Sequence, residues 1–370
     1  MKKYLLSIIA VLGWAAGSVQ AQTPTRDFVT GADMGWLTEY ESQGHKFYNS
    51  QGAAVEGTAL MKSYGMKAIR IRVWVNPVKH GNWCSKEDAL NKALRAKALG
   101  MEVMIDFHYS DWWADPGKQN IPESWSGMTY EQMREKVREH TVEVLQFLKT
   151  YGVEPRWVQV GNETTHGLLW SVKSDPETGW PVPDSLGNNI ITEDMARAET
   201  HPERYAGIIK TGCEAVKSVF PKAITIVHLD DGFDRKLYDW NLGILRKGGV
   251  KFDMVGMSLY PYWALEGKKT DSADKVITEC MDNIRHVARK FGTDCMIVEV
   301  GMDALNPEEG YVQLSRILRE ARTQTGGHCR GVIYWEPECR PSQYRLGAFG
   351  EDGRPTKIMQ AFSENPSSDN

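Results

Sequence analysis

The sequence predicts an α/β fold: a single (β/α)8 TIM barrel whose active site lies at the C-terminal face of the strands. Three observations lead to this prediction. Short apolar runs alternate with longer amphipathic stretches eight times along the chain. Polar or aromatic side chains stand at the ends of these runs, where a barrel places its active site. The sequence contains neither a Gly-x-Gly-x-x-Gly turn nor a phosphate-binding loop, so a nucleotide-binding open sheet loses its main support.

Each strand of the predicted barrel is a short apolar run followed by sequence that can form a helix. The candidate strands are Phe28–Ala32, Ala68–Trp74, Glu102–His108, Arg156–Asn162, Ala223–Leu229, Asp253–Leu259, Cys295–Val300 and Gly331–Trp335. Helical character follows at Asp88–Leu99, Met128–Thr150, Pro202–Val219, Ser272–Phe291 and Gly310–Gln324. Ser85, with Asp88 three residues later, is typical of a capping box and predicts the start of the first of these helices.

The first 21 residues predict an export signal that is not part of the fold. Lys2 and Lys3 precede a short apolar run, and Val19-Gln20-Ala21 offers small residues around a cleavage point. The run is too short to span a bilayer, and no later stretch of the sequence is long and apolar enough to do so. We therefore expect residues 22–370 to form one catalytic barrel, a monomer exported to the periplasm, the cell surface or the extracellular space.

Charge and cysteine content exclude some classes of function. The formal net charge is −4 and the basic residues are dispersed, so the chain has no electrostatic footprint for nucleic acid. The six cysteines have no spacing that favours a metal site. They are compatible with disulfides in an oxidising compartment and equally with buried free thiols; they are Cys84, Cys213, Cys280, Cys295, Cys329 and Cys339.

Two glutamates are the main evidence in the sequence for a catalytic site. Glu163 ends the fourth candidate strand, and Glu299 lies within the seventh. A carboxylate in an apolar strand is costly unless it is paired, hydrogen-bonded or functional. A buried ion pair would explain one such residue, but two at the mouth of one barrel favour a catalytic pair. Glycoside hydrolysis uses such a pair, with the carboxyls about 5–5.5 Å apart for retention and about 6.5–9.5 Å apart for inversion. Arg72 is expected to keep one of them ionised.

The tryptophans point to a sugar ligand. Ten of the 13 fall at strand ends or in the loops that follow, where indoles suit a ligand with flat apolar faces and polar edges. We expect Trp83, Trp125 and Trp180 to pack loops instead. A metal-dependent barrel hydrolase is the alternative suggested by His108, His228, Asp106 and Asp230, but the sequence has neither a His-x-His pair on the first strand nor a clustered ligand set. No Gly-x-Ser-x-Gly supports a serine hydrolase.

Six segments of the chain carry a family resemblance. The most specific is Asp106-Phe107-His108-Tyr109-Ser110-Asp111, continued by Trp113–Gln119; the others are Gly31–Glu39, Ile69–Pro77, Gln159–Glu163, Ser258–Trp263 and Tyr334–Pro337. In this order they resemble glycoside hydrolase family 53, the arabinogalactan endo-β-1,4-galactanases. The similarity spans nearly the whole chain after the predicted signal.

The resemblance implies a retaining double-displacement mechanism, with Glu163 as general acid/base and Glu299 as nucleophile. It implies that Asn162 holds the sugar 2-hydroxyl and that Trp335 forms the floor beneath the sugar. Arg72 and Tyr260 would position the nucleophile. The remaining substrate-binding residues that we expect are Asp33, His108, Asp111, Trp112 and His228.

The substrate that the resemblance implies is the β-1,4-galactan of pectin side chains, or galacto-oligosaccharides, and no cofactor is required. Some bacterial members carry structural calcium, but Asp303, Glu308 and Glu309 do not form a recognisable oxygen cage. Another retaining barrel glycosidase, a β-mannanase or β-glucanase, stays open as an alternative. A catalytically silent glycan-binding protein would use the same aromatic face, although both glutamates are intact.

Overall fold

The computed structural model describes residues 27–365 and residue 367; the predicted signal, residues 1–21, lies outside them. Eight parallel strands close into a barrel in chain order, with β8 pairing to β1. The strands are β1 Val29–Asp33, β2 Ala68–Val73, β3 Glu102–Phe107, β4 Trp157–Val160, β5 Ile224–Leu229, β6 Met254–Leu259, β7 Asp294–Val300 and β8 Cys329–Trp335. The predicted barrel is therefore confirmed, and each strand lies within two residues of its predicted bounds.

Helices surround the barrel. They are α1 Leu37–Ser42, α2 Gly57–Ser63, α3 Lys86–Ala98, α4 Tyr130–Thr150, α5 Pro202–Val219, α6 Arg235–Lys247, α7 Pro261–Glu266, α8 Ala273–Phe291, α9 Pro307–Thr323 and α10 Gln360–Glu364. Short 3-10 turns lie at Pro77–His80, Glu123–Trp125, Thr164–His166 and Lys357–Met359. The five predicted helices correspond to α3, α4, α5, α8 and α9. The sequence does not predict α1, α2, α7 and α10, which are too short to show a helical period over two full turns. It also gives no bounds for α6, which spans 13 residues.

The first of the predicted helices begins as expected, but with half of a capping box. The Ser85 hydroxyl accepts a hydrogen bond from the Asp88 N–H at 3.3 Å. The Asp88 carboxylate does not complete the box at Ser85; it accepts from the N–H of Cys84 at 2.8 Å and pairs with Lys92 at 2.7 Å. Ser85 is still the N-cap residue, because its oxygen satisfies one of the N–H groups that the first turn leaves free.

Side chains inside the barrel change character from its base to its mouth. Because alternate residues of a strand point inward, inward positions recur every second residue. The polar ones include Arg70, Asp106, Gln159 and His228, all buried. Two residues earlier on the same strands the inward side chains belong to an apolar cluster at the base, formed by Val29, Ala68, Met104, Trp157, Ile226, Met254, Met296, Val298 and Ile333. A charged and polar layer therefore lies directly beneath the mouth.

Two antiparallel hairpins lie in the loops of the mouth. Phe47–Tyr48 pairs with Ala54–Val55 between β1 and α2. Gly167–Val172 pairs with Ile191–Arg197 between β4 and α5, and we call this segment the β4 hairpin. The sequence predicts neither hairpin. The first has two-residue strands, and in the second a long polar loop separates the pairing segments.

All six cysteines are buried free thiols, so the structure favours the second of the two alternatives left open by the sequence. Cys295 and Cys329 occupy paired positions on β7 and β8. Burial raises the pKa of both thiols, which lowers their reactivity because the thiolate is the reactive form. Among the helices of the described residues, none combines the length and the apolar character needed to cross a bilayer.

Candidate active site

A cleft of about 440 Å³ opens at the C-terminal ends of the barrel strands. Both predicted catalytic glutamates line it, so the predicted location at this face of the barrel is confirmed. Six of the eight strands, with the loops that follow them, contribute the other lining side chains: Trp36, Trp113, Ala114, Asp115, Pro116, Asn162, Trp180, Asp230, Asp231, Ser258, Tyr260, Trp263, Lys269, Trp335, Gln343 and Tyr344.

Glu163 lies three residues beyond the end of β4, in a backbone conformation with a φ of 45°. This left-handed region is uncommon for a residue with a side chain, and its strain is often found at functional sites. The Glu163 N–H donates to His228 Nδ1 at 3.2 Å, and Glu163 Oε1 accepts from the Ser258 hydroxyl at 2.5 Å. The side chain is thereby held in place although it is 9% exposed to the cleft.

His228 supports Glu163 through a chain of hydrogen bonds. Since the Glu163 N–H can only donate, His228 Nδ1 is the accepting nitrogen and the proton lies on Nε2. Nε2 is 2.9 Å from Ser258 Oγ, so the imidazole donates to the hydroxyl and the hydroxyl donates to Glu163. Burial lowers the pKa of His228 far below its usual range, which keeps the ring neutral.

Glu299 is held by a cation and a phenol. Its Oε1 lies 2.9 Å from Arg70 Nη1, and its Oε2 accepts from the Tyr260 hydroxyl at 3.1 Å. A register shift between Met257 and Ser258 brings Ser258 opposite Glu299 on the neighbouring strand. The Ser258 side chain contacts Glu163. Tyr260, two residues later in the chain, contacts Glu299, so both carboxyls converge on the end of β6.

The two carboxyl groups differ in their electrostatic surroundings. Burial raises the pKa of both. At Glu299 the positive charge of Arg70 opposes this rise. At Glu163 the neighbouring charges of Glu299 and Asp230 are negative and raise the pKa further. Glu163 therefore keeps its proton to a higher pH than Glu299, which is the division of roles that an acid and a nucleophile need.

Arg72 is not the cation beside Glu299, and that prediction is wrong. Its guanidinium pairs closely with Glu336 and lies 4.1 Å from the centre of the Trp113 ring. Arg70 and Arg72 both point into the barrel. The stagger between neighbouring strands decides which of them is level with Glu299, and spacing along one strand does not reveal that stagger. Arg72 also needs Gly35, because a Cβ there would lie 1.9 Å from Arg72 Nη1.

Three further predicted substrate-binding residues lie beneath the cleft and do not line it: Asp33, His108 and His228. Asp33 Oδ2 lies 2.6 Å from Arg70 Nη1, and His108 Nε2 lies 3.1 Å from Asp106 Oδ2. All three side chains are buried, and none is more than 3% exposed. Asp33 thus pairs with the cation that contacts Glu299, and His228 accepts from the Glu163 N–H.

Asp111 and Trp112 lie beside the cleft, also outside its lining. The Asp111 carboxylate accepts hydrogen bonds from the N–H groups of Asn76 at 2.9 Å and Glu123 at 2.8 Å, which joins two loops. The Trp112 ring stacks on His80, with 4.9 Å between ring centres and planes 7° apart. Asn162, Tyr260 and Trp335 are the predicted substrate-binding residues that line the cleft.

Three tryptophans form an aromatic floor in the cleft. Trp36 contacts Trp335 and Trp113 with ring centres 5.2 and 5.3 Å apart, and Trp113 lies 5.7 Å from Trp335. Tyr344 packs against Trp335 at 4.7 Å. Asn162 lies beside this floor; its Oδ1 accepts from Arg70 Nη2 at 2.8 Å. The floor offers flat apolar faces with polar groups at their edges, as a sugar ring requires.

The family model for glycosyl hydrolase family 53 matches residues 29–316. The chain belongs to this family. An uncharacterised protein of Niallia circulans is 32% identical over 343 residues, which cover 85% of each chain. The endo-β-1,4-galactanase of Bacillus subtilis is 28% identical over 85% of this chain and 71% of that one. A solved structure of fungal β-1,4-galactanases has the same fold, with a TM-score of 0.75 and 24% identity, over 90% of this chain and 98% of that one.

Structural calcium does not fit the acidic residues that follow β7 in this family 53 chain. Asp303 accepts from Arg345 Nε and Nη2 at 2.9 and 2.7 Å, and Glu308 pairs closely with Lys357. Glu309 accepts from two neighbouring amide side chains. Their charges or lone pairs are thus engaged separately by other side chains. Within residues 27–365 and 367, no three His, Cys, Asp or Glu side chains are grouped to hold a metal ion.

The lining of this family 53 site differs in part from the prediction. Trp180 was expected to pack a loop, but it is 54% exposed and lines the cleft; Trp125 is buried as expected. The acidic Asp115 and Asp231 and the basic Lys269 were not assigned to the site. Asp115 lies within the Trp-Ala-Asp-Pro-Gly segment that carried the resemblance, which is the signal that could have found it. Lys269 lies in a loop with no comparable pattern.

Proposed function

We propose that this family 53 protein is a retaining endo-β-1,4-galactanase, with Glu163 as general acid/base and Glu299 as nucleophile. The observation that carries the proposal is the pair of buried carboxyls converging on Ser258 and Tyr260 at the end of β6, one beside Arg70 and the other beside negative charge. The names of the Bacillus subtilis relative and of the fungal structure support galactan as the substrate.

The first half of the reaction uses both carboxyls at once. Glu299, ionised beside Arg70, attacks the anomeric carbon while Glu163 donates its proton to the glycosidic oxygen. The linkage breaks, a covalent glycosyl–enzyme forms through Glu299, and the cleaved chain leaves with the proton. The Tyr260 hydroxyl orients the Glu299 carboxylate for attack. The hydrogen-bonded chain of His228 and Ser258 orients the Glu163 carboxyl.

The second half reverses the role of Glu163. Now ionised, it takes a proton from a water molecule, whose oxygen attacks the anomeric carbon and releases Glu299. Two inversions at one carbon give net retention. The chemistry needs two carboxyls and water, so no cofactor is required. In this mechanism Asn162 contacts the 2-hydroxyl of the sugar, whose apolar face lies on Trp335; both residues line the cleft.

We also propose that the enzyme acts as a monomer outside the cytoplasm, on galactan or on galacto-oligosaccharides. A polymeric substrate does not cross a membrane, which agrees with the export signal predicted at residues 1–21. The half-exposed Trp180 and Trp263 extend the aromatic lining beyond the central floor, which suits cleavage within a chain.

The first experiment follows the products of linear β-1,4-galactan over time by chromatography and reads the released anomer by NMR, with mannan and β-glucan as parallel substrates. We expect galacto-oligosaccharides of intermediate length first, released as the β-anomer. An α-anomer would contradict retention. Preference for mannan or β-glucan would favour another barrel glycosidase, and binding without turnover would favour a silent glycan-binding protein.

The same assay with two variants tests the roles of the glutamates. Glu299→Ala should abolish hydrolysis. Glu163→Ala should lower the rate on galactan by about 100-fold or more, and much less on an aryl galactoside with a good leaving group, because that substrate does not need protonation. Equal losses on both substrates would contradict the assignment of Glu163 as the acid.

A further inference from the structure

The β4 hairpin carries an exposed tryptophan into the cleft. Trp180 lies in the loop between its two strands and is 54% exposed, yet it lines the same cleft as Glu163. Exposed large aromatic side chains that are held in one orientation are typical of binding sites. In the absence of a ligand, burial in the protein would stabilise an indole more than exposure to water does.

Neighbouring side chains hold the Trp180 ring in place. Lys118 Nζ lies 4.4 Å from the ring centre, and the Lys118 side chain is only 2% exposed and pairs closely with Asp115. The Trp112 ring meets Trp180 at 63°, with centres 5.5 Å apart. Gly179, with a φ of 72°, packs against Trp112 so closely that a Cβ would lie 2.7 Å from that ring. Trp180 is therefore fixed on one side and open on the other.

Hydrogen bonds connect the hairpin to the backbone next to Glu163. Gln119 O accepts from the Trp170 N–H at 2.9 Å, and Gln119 Nε2 donates to the carbonyl oxygen of Asn162 at 2.8 Å. Farther along the loop, Asn189 Nδ2 donates to Gly117 O at 2.6 Å. The open face of Trp180 thus has a defined position relative to Glu163.

We propose that Trp180 is a sugar-binding platform for a galactosyl unit away from the linkage that is cleaved, and that it makes the enzyme favour longer chains. The sugar at the cleavage point lies over the floor of Trp36, Trp113 and Trp335. Trp180 packs on Trp112, and successive ring contacts through His80 and Trp74 separate that pair from Trp113 of the floor. A galactose ring has an apolar face that stacks on an indole, and the cation behind the ring fixes its orientation. This inference rests on the proposed galactanase function.

The test compares chain lengths in Trp180→Ala. One aromatic–sugar stacking contact is expected to change kcat/KM by about 10-fold. We therefore expect Trp180→Ala to lower kcat/KM about 10-fold on galactohexaose and on galactan, and to leave an aryl galactoside unchanged. Trp180→Phe should keep most of the activity on the hexaose, because it keeps a planar ring. Thermal unfolding checks that both variants are folded.

Trp240→Ala is the matched control, since Trp240 is 40% exposed on α6 and outside the cleft lining. It should match the wild type on every substrate. Equal kcat/KM on hexaose for the wild type and Trp180→Ala would overturn the proposal, and so would an equal loss on both chain lengths. Neither result would contradict the proposed galactanase function. That function is contradicted if the wild type does not hydrolyse galactan, and in that case the proposal for Trp180 is contradicted as well.

Discussion

Single residues at the mouth of the barrel are held in conformations that a relaxed chain avoids. Tyr109, Glu163, Asp231 and Glu336 have positive φ values of 50°, 45°, 41° and 45°, and each lies within three residues of a strand's C-terminal end. Such a conformation costs about 1–2 kcal/mol per non-glycine residue. Hydrogen bonds offset this cost; at Glu163 they are the bonds to His228 and Ser258.

Two hydroxyl groups should set the two limbs of the pH profile. In the proposed mechanism kcat/KM falls at low pH as Glu299 gains a proton and at high pH as Glu163 loses one. The Ser258 hydroxyl donates to Glu163 and lowers its pKa, so Ser258→Ala should move the alkaline limb to higher pH. The Tyr260 hydroxyl lowers the pKa of Glu299, so Tyr260→Phe should move the acidic limb to higher pH.

Each shift is expected to be about one pH unit, since a hydrogen bond to a charged group contributes about 1.5–3 kcal/mol and one pKa unit corresponds to about 1.4 kcal/mol. The measurement is kcat/KM against pH for the wild type and both variants. The two variants serve as controls for each other, because each should move one limb only. A shift of the opposite limb in either variant would reverse the assignment of acid and nucleophile.

At the scale of elements, β2 and the end of β6 supply the side chains that hold the two glutamates. β2 places Arg70 against Glu299 and Arg72 beneath the aromatic floor, and the end of β6 supplies the donors to both carboxyls. The β4 hairpin adds an outer aromatic surface. Parallel strands provide this precision because hydrogen bonds to neighbours on both sides fix their backbones.

Capping of α3 gives a test of element stability. Ser85→Ala removes the side chain that satisfies the Asp88 N–H, and it should lower the free energy of unfolding by about 1 kcal/mol without changing kcat/KM. Chemical denaturation measures this difference. Ser42→Ala, at the exposed end of α1, is the control and should change stability by less than about 0.5 kcal/mol. Equal effects of the two substitutions would show that the cap at Ser85 contributes nothing specific.

At the scale of the whole molecule, the core is expected to be stable without cross-links. Since all six cysteines are buried as free thiols, a thiol reagent such as Ellman's reagent should label none in the folded protein and six after denaturation. A reducing agent should leave the thermal unfolding midpoint unchanged. A count of four after denaturation would indicate a disulfide, for which the paired positions Cys295 and Cys329 on β7 and β8 are the first candidates.

The sequence by itself determined the barrel, the bounds of its strands and the placement of Glu163 and Glu299 at their C-terminal ends. It could do so because alternating apolar periods and polar strand ends are local features. The tertiary structure alone decided that Arg70 and not Arg72 binds Glu299, that Asp33, His108 and His228 are buried outside the cleft lining, and that Trp180 lines the cleft. Strand stagger and loop docking set these positions through contacts between residues far apart in the chain, and periodicity along one strand carries no information about them.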